Sequence, residues 1–155
     1  MLGLGHRLQF SAVIVFVVVG SALTASALPA VEPSIEALKA RVSTAGIGDR
    51  PHLCVQIAER QLTEADKLYT ASDMDQAQTK LTEVVAYSEL ARDYSIQSHR
   101  YQKQTEIAVR VMTRKLTEVM HTLAHDDQAP LREAISHLQR VRDDLLASMF
   151  KKGAK

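Results

Sequence analysis

The stretch 74-MDQAQTKLTEVVAYSELARDYSIQSHRYQKQTEIAVRVMTRKLTEVMHTLAH-125 contains neither glycine nor proline. Its apolar residues recur at three- and four-residue steps: Ala77, Leu81 and Val84, then Leu90, Ala91 and Tyr94, then Ala108, Met112, Leu116, Val119 and Leu123. That period aligns side chains on one face of an α-helix, so the stretch predicts helix and sets the chain in the all-α class. If unbroken, about 50 residues at a 1.5 Å rise would form a rod of about 75 Å. Between Ser95 and Thr105 only Ile96 and Tyr101 depart from polar character. The polar run predicts either a bend there or a rod whose two ends pack against different partners.

The flanks repeat the helical pattern. Upstream, residues 51–71 place Cys54, Ile57, Ala58, Leu62, Ala65, Leu68 and Tyr69 on one stripe, with Glu59, Arg60, Glu64 and Lys67 opposite. Pro51 suits a first helical turn, and Ser72 or Asp73 is placed to cap the following helix. A shorter pattern through Ile35, Leu38 and Val42 ends at Gly46 and Gly48. Downstream, Asp126-Asp127-Gln128-Ala129-Pro130 closes the long helix and opens a last one. Its stripe is Leu131, Ala134, Ile135, Leu138, Val141, Leu145 and Met149. No segment reads as a strand. The expected architecture is helical hairpins or a bundle around one long central helix. The 51–71 helix pairs with its first half and the last helix with its second.

The first thirty residues read differently. His6 and Arg7 precede an apolar run from Phe10 to Leu23, and Ala25-Ser26-Ala27 offers a small-x-small cleavage site. This is the layout of a secretory signal peptide, and the apolar run is shorter than the ~20 residues of a spanning helix. The expected division is a signal at 1–27, a short helix and linker at 28–50, a helical domain at 51–150 and a basic tail at 151–155. Cleavage after Ala30 and retention as an uncleaved anchor are the alternatives. Leu28 stands where a lipoprotein would carry cysteine. The mature chain is expected to be soluble, with no transmembrane segment, in the periplasm or outside the cell.

Composition narrows the function classes. The chain has 19 Lys+Arg and 18 Asp+Glu, and Arg7 is the only charged residue among the first thirty, so the remainder is balanced at 18 of each. Such a chain has no bulk charge with which to bind nucleic acid. Cys54 is the single cysteine, so the domain is held by its core rather than by disulfides, and Cys54 is expected to be buried. Tryptophan is absent and aromatics are 5%, which leaves Leu, Val, Ile, Ala and Met to build that core.

The hairpin from Ala65 to about Val84 resembles a tetratricopeptide repeat. Ala65, Leu68, the turn at Ser72-Asp73, Ala77 and Leu81 match that family's packing positions and turn. The family's tryptophan, glycine and closing proline are missing, Val84 replaces a small residue, and one unit stands where about three are needed for a stable array. The resemblance implies a helical hairpin and, more loosely, peptide or protein binding. The whole layout is also similar to small exported helical proteins of unknown function.

Three constellations are candidates for function. Tyr87, Tyr94 and Tyr101 are spaced by sevens, and on one helix would form an aromatic ladder for a ligand, glycan or partner helix. The competing arrangement has the rings bordering the core with hydroxyls in water. Arg100, Lys103, Arg110 and Arg114, with Lys115 adjacent, form a basic strip suited to an acidic partner or surface, or simply a solvated face. His121 and His125, four apart beside Asp126, could hold a transition metal if His137 on the next helix reaches them. Otherwise His125 interacts with a helix end. The glutamate of a metalloprotease helix is missing, since Thr122 follows His121. No nucleophile elbow, phosphate loop or cofactor motif occurs. The expectation is an exported, non-enzymatic helical interaction protein that binds a protein or peptide or self-associates. A small metal-binding protein of the envelope is the alternative, and an envelope-associated structural protein held by the basic strip is a third reading.

Overall fold

Ser34 begins the first helix, α1 (Ile35–Thr44): its hydroxyl accepts the Ala37 N–H at 3.1 Å, satisfying a donor that the helix itself leaves free. The computed structural model describes residues 32–151. The expected signal at 1–27 and the tail beyond Lys151 lie outside these residues. Helix α2 (Arg50–Thr70) carries Pro51 in its first turn. Helix α3 (Met74–Ser98) is capped by Asp73, whose carboxylate accepts the Gln76 backbone N–H at 3.3 Å and the Gln76 side-chain amide at 2.6 Å. Helix α4 (Gln102–Thr122) is followed by a 3-10 turn at His125–Gln128 and by α5 (Ala129–Lys151). The described residues contain no strand, and none of their helices is long and apolar enough to cross a membrane.

The single long helix expected over 74–125 is not formed. The chain breaks at His99-Arg100-Tyr101, where His99 and Tyr101 both take left-handed backbone angles, φ 58° and 61°. The break is a reversal rather than a modest bend. Ser95 Oγ and Thr105 Oγ1 lie 2.9 Å apart, whereas ten residues of continuous helix would separate them by about 15 Å. The other pairings fix the directions. Leu62 and Met112 border one groove between α2 and α4, and Asp66 meets Lys115 at 2.9 Å, so these two helices are parallel. Gln102 bonds Ser148 at 3.0 Å and Glu106 bonds Arg142 at 2.7 Å, so α4 and α5 are antiparallel. Helices α3 and α5 run parallel, joined by Glu89–His137 at 3.2 Å and Arg92–Asp144 at 3.1 Å.

The result is an up-down-up-down bundle of α2 to α5, with α1 laid against α2. Its physical reason is burial. A 21-residue helix such as α2 is about 32 Å long, and a 75 Å rod beside it would leave half its apolar stripe in water. Folding the rod in two brings both halves into one core: Ala58, Leu62, Ala65, Tyr69, Leu81, Val84, Met112, Leu116, Leu131, Leu138 and Leu145 are all buried there. A smaller cluster of Leu38, Leu53 and Ile57 joins α1 to α2. Cys54 is fully buried, as expected.

Candidate functional site

The α1–α2 loop, the first turn of α2 and the α3–α4 turn meet at one end of the bundle. The Arg100 side chain lies across Gly48. A β-carbon there would lie 2.7 Å from Arg100 Nη1 and 2.9 Å from Arg100 Cδ, so a larger residue would push that side chain aside. From that position Arg100 Nη1 is 3.5 Å from Asp49 Oδ1, and its guanidinium sits over the Tyr101 ring at 5.4 Å. Tyr101 stacks in turn on His52, with centroids 5.9 Å apart and planes 22° from parallel. Beside them Arg50 donates from Nε to the Ala45 carbonyl at 3.1 Å and covers Tyr94 at 5.2 Å. Each such cation–ring contact contributes on the order of 0.5–1 kcal/mol where exposed.

Between these groups lies a cleft of about 360 Å³, walled by Arg41, Thr44, Ala45, Asp49, His52, Leu53 and Tyr101. The cleft wall carries one arginine, Arg41, and one carboxylate, Asp49, with Arg50 and Arg100 beside it. Arg41 has no carboxylate within 4.0 Å among the described residues. Tyr101 is a bulky residue held at positive φ, a conformation that persists only where surrounding contacts hold it.

The structure redistributes the tyrosine ladder. Seven-residue spacing stacks rings only on a continuous helix, and Tyr101 lies beyond the end of α3. Tyr94 and Tyr101 still reach the same end of the bundle through Arg50 and His52. Tyr87 sits apart, against both core clusters and under α1, with Lys39 5.9 Å from its ring. Burial pushes the Tyr87 hydroxyl above its ordinary pKa. Lys39 is raised mainly by its hydrogen bond to Glu83, from which it lies 2.9 Å.

The basic strip is likewise divided. Arg100 belongs to the α3–α4 turn, beside Asp49 and Tyr101. Lys103, Arg110 and Arg114 lie exposed on the outer face of α4 beside the exposed Ile107 and Val111. Arg110 stands 3.9 Å from Glu106, while Lys115 turns to Asp66 on α2.

The three histidines are not brought together by one helix face. His121 lies exposed in the last turn of α4, and His125 lies past the helix end in the 3-10 turn, also exposed. His137 faces α3 and meets Glu89 at 3.2 Å. Among the described residues no three histidine, cysteine or carboxylate side chains are grouped to hold a metal ion. The Glu89–His137 pair closes one end of a groove of about 560 Å³ between α3 and α5, floored by Leu81, Val85 and Ala134.

Sequence reasoning missed Arg41, Arg50, Asp49 and His52. No spacing rule links them to Tyr101. The one available signal was Gly48 ahead of α2, where the Arg100 side chain passes close to the backbone.

Fold and site together define an all-helical bundle with a cation–aromatic cleft at one end. Set against known proteins, the chain matches no family model, no curated protein and no solved structure.

Proposed function

We propose that this chain is an exported, non-enzymatic interaction module whose working surface is the end of the bundle at the α3–α4 turn. The observation that carries the reading is the arrangement of Arg100. Gly48 clears its path, Tyr101 supports its guanidinium, and half of its side chain remains in solvent. Arginine and tyrosine are the residue types that dominate binding energy at protein interfaces. Here they stand at the end of α3 and in the turn that joins it to α4. The likeness of the 65–84 hairpin to a tetratricopeptide repeat is in keeping with a protein or peptide partner.

The test is brief crosslinking in the intact envelope followed by affinity capture, comparing the native chain with the double variant Tyr94→Ala/Tyr101→Ala. A partner recovered with the native chain and lost with the variant supports the reading. Identical recovery with both, or only self-crosslinks from both, sinks it. Export is tested separately by fractionation: deletion of residues 1–27 should leave the chain in the cytoplasm, and unchanged fractionation would refute the signal.

A further inference from the structure

We propose that the end of the bundle at the α3–α4 turn docks on an anionic phospholipid surface, its cations on the phosphates and Phe150 in the apolar layer beneath them. The proposal goes beyond the reading of a polypeptide partner and does not depend on it.

The chain is balanced as a whole but polarised along the bundle. Gln102 bonds Ser148 at 3.0 Å, so the end of α5 lies at the start of α4, beside the α3–α4 turn. Residues 41–53, 95–106 and 146–151 thus share one end of the bundle. They carry five cations, Arg41, Arg50, Arg100, Lys103 and Lys151, against two carboxylates, Asp49 and Glu106. Glu106 is buried and held by Arg142, which leaves Asp49 as the exposed acid. Lys152 and Lys155 follow in the sequence. The chain reversals place residues 66–78 and 118–133 at the other end. There the sign is inverted, with Lys67 and Arg132 against seven carboxylates.

The five cations are spread rather than gathered. They come from α1, α2, the α3–α4 turn, α4 and α5, and only Arg41 among them lines the cleft. Such an arrangement does not converge on one small anion. It matches a plane of anions, and each cation held near an anionic bilayer strengthens binding about fivefold.

Apolar exposure decides between a lipid surface and other anionic partners. Phe150 is 75% exposed and Ile47, in the α1–α2 loop, 40%. Both stand at the cationic end. The other exposed large apolar residues, Leu90, Ile107 and Val111, lie along the helices, and among the described residues none stands at the acidic end. A second copy stacked end to end would satisfy the charges but offer Phe150 no exposed apolar partner. An acidic polymer would leave Phe150 in water. A bilayer interface takes both, cations at the headgroups and an apolar ring at the acyl boundary. The acidic end then points away from the anionic surface, so the charge pattern also sets the orientation.

The test uses the chain without residues 1–27, which removes the apolar run Phe10–Leu23. The bundle and its core lie wholly within residues 32–151. Co-sedimentation is measured with vesicles of equal phosphatidylglycerol and phosphatidylcholine, and with phosphatidylcholine alone. Binding is expected to the first and not the second, with release at about 1 M salt, where charges are screened within about 3 Å. Arg100→Gln and Lys103→Gln should each weaken it about fivefold, and Phe150→Ala roughly tenfold. These side chains are exposed, so the variants keep the fold. The chain lacks tryptophan, so Phe150→Trp reports its own surroundings. Its emission should shift to the blue on the anionic vesicles, and that of Ala124→Trp at the acidic end should not. Equal binding to both vesicles, or none to either, would overturn the proposal. An unshifted emission from Phe150→Trp would overturn it in favour of adsorption by charge alone. Lipid-free assemblies that are lost in Arg100→Gln would replace the bilayer with a second copy. A larger loss from Arg110→Gln/Arg114→Gln than from Arg100→Gln/Lys103→Gln would move the surface to the flank of α4 and sink the end-on assignment. Vesicle binding as expected, with envelope capture unchanged by Tyr94→Ala/Tyr101→Ala, would uphold this proposal and sink the polypeptide reading. The reverse pattern would do the opposite.

Discussion

At the end of the bundle where α2 turns into α3, the interior is made of Ala65, Tyr69, Ala77, Leu81, Leu116, Val119 and Leu131, all buried. At the opposite end the interior includes Ser95, Thr105 and Glu106, also buried. There Ser95 bonds Thr105 at 2.9 Å, and Glu106 is joined by Arg142 at 2.7 Å. Apolar contact is tolerant of small shifts, whereas hydrogen bonds are directional. The first end is therefore held by apolar contact. The second fixes where the chain reverses and how Tyr101 and Arg100 are presented. The apolar end is not wholly without polar cost, since Tyr69 Oη is buried with no partner and burial raises the pKa of its hydroxyl.

The comparison can be broken most directly at the apolar end. Leu116→Ala, at a fully buried site, should lower unfolding free energy by roughly 2–5 kcal/mol in urea denaturation. A loss below about 1 kcal/mol would mean that apolar contact is not what holds this end.

Next in size is a pH effect at the floor of the polar end. Burial pushes the Cys54 thiol up to about 11 from an ordinary value near 9. Because the folded chain holds the proton more tightly, stability is fully present below pH 9 and declines as pH rises toward 11. The expected fall by pH 11 is on the order of 2 kcal/mol. It is read as the difference between native and Cys54→Ala denaturation curves across that window. Coincident slopes would show that this floor is open to water.

Ser95→Ala should cost roughly 1–2 kcal/mol by leaving the Thr105 hydroxyl buried without its partner. The double variant Ser95→Ala/Thr105→Val should recover part of that loss. Additive losses in the double-mutant cycle would deny the hydrogen bond its role in the reversal.

The smallest expected effect is a gain. His99 is exposed and left-handed at φ 58°, a conformation that glycine adopts without strain. His99→Gly should raise stability by about 0.5–1 kcal/mol, visible as a higher midpoint in urea. A loss would mean that the imidazole makes a contact worth more than the strain.

Much of the fold was legible. The stripes of α2 and α5, the break at Gly46–Gly48, the Asp73 cap and the burial of Cys54 all follow from local spacing and residue chemistry. The polar run from Ser95 to Thr105 marked the place where the long helix fails. It did not reveal a full reversal, because Ser95 and Thr105 read as solvated hydroxyls until they are seen to satisfy each other. The candidate site was half legible. Tyr94, Tyr101 and Arg100 were selected by spacing along the chain, but the residues that meet them come from α1 and α2, more than forty positions upstream.

The sequence by itself determined that the described chain is helical, where most of the helices stop, and which stripe of each is apolar. These are consequences of neighbours within one or two turns. Only the tertiary structure decided that α4 folds back along α3, that Arg100 crosses Gly48, and that His52 and Arg41 line the cleft with Tyr101. Those contacts join segments distant in sequence. Their energy exists only once the bundle has closed, so no local pattern encodes them.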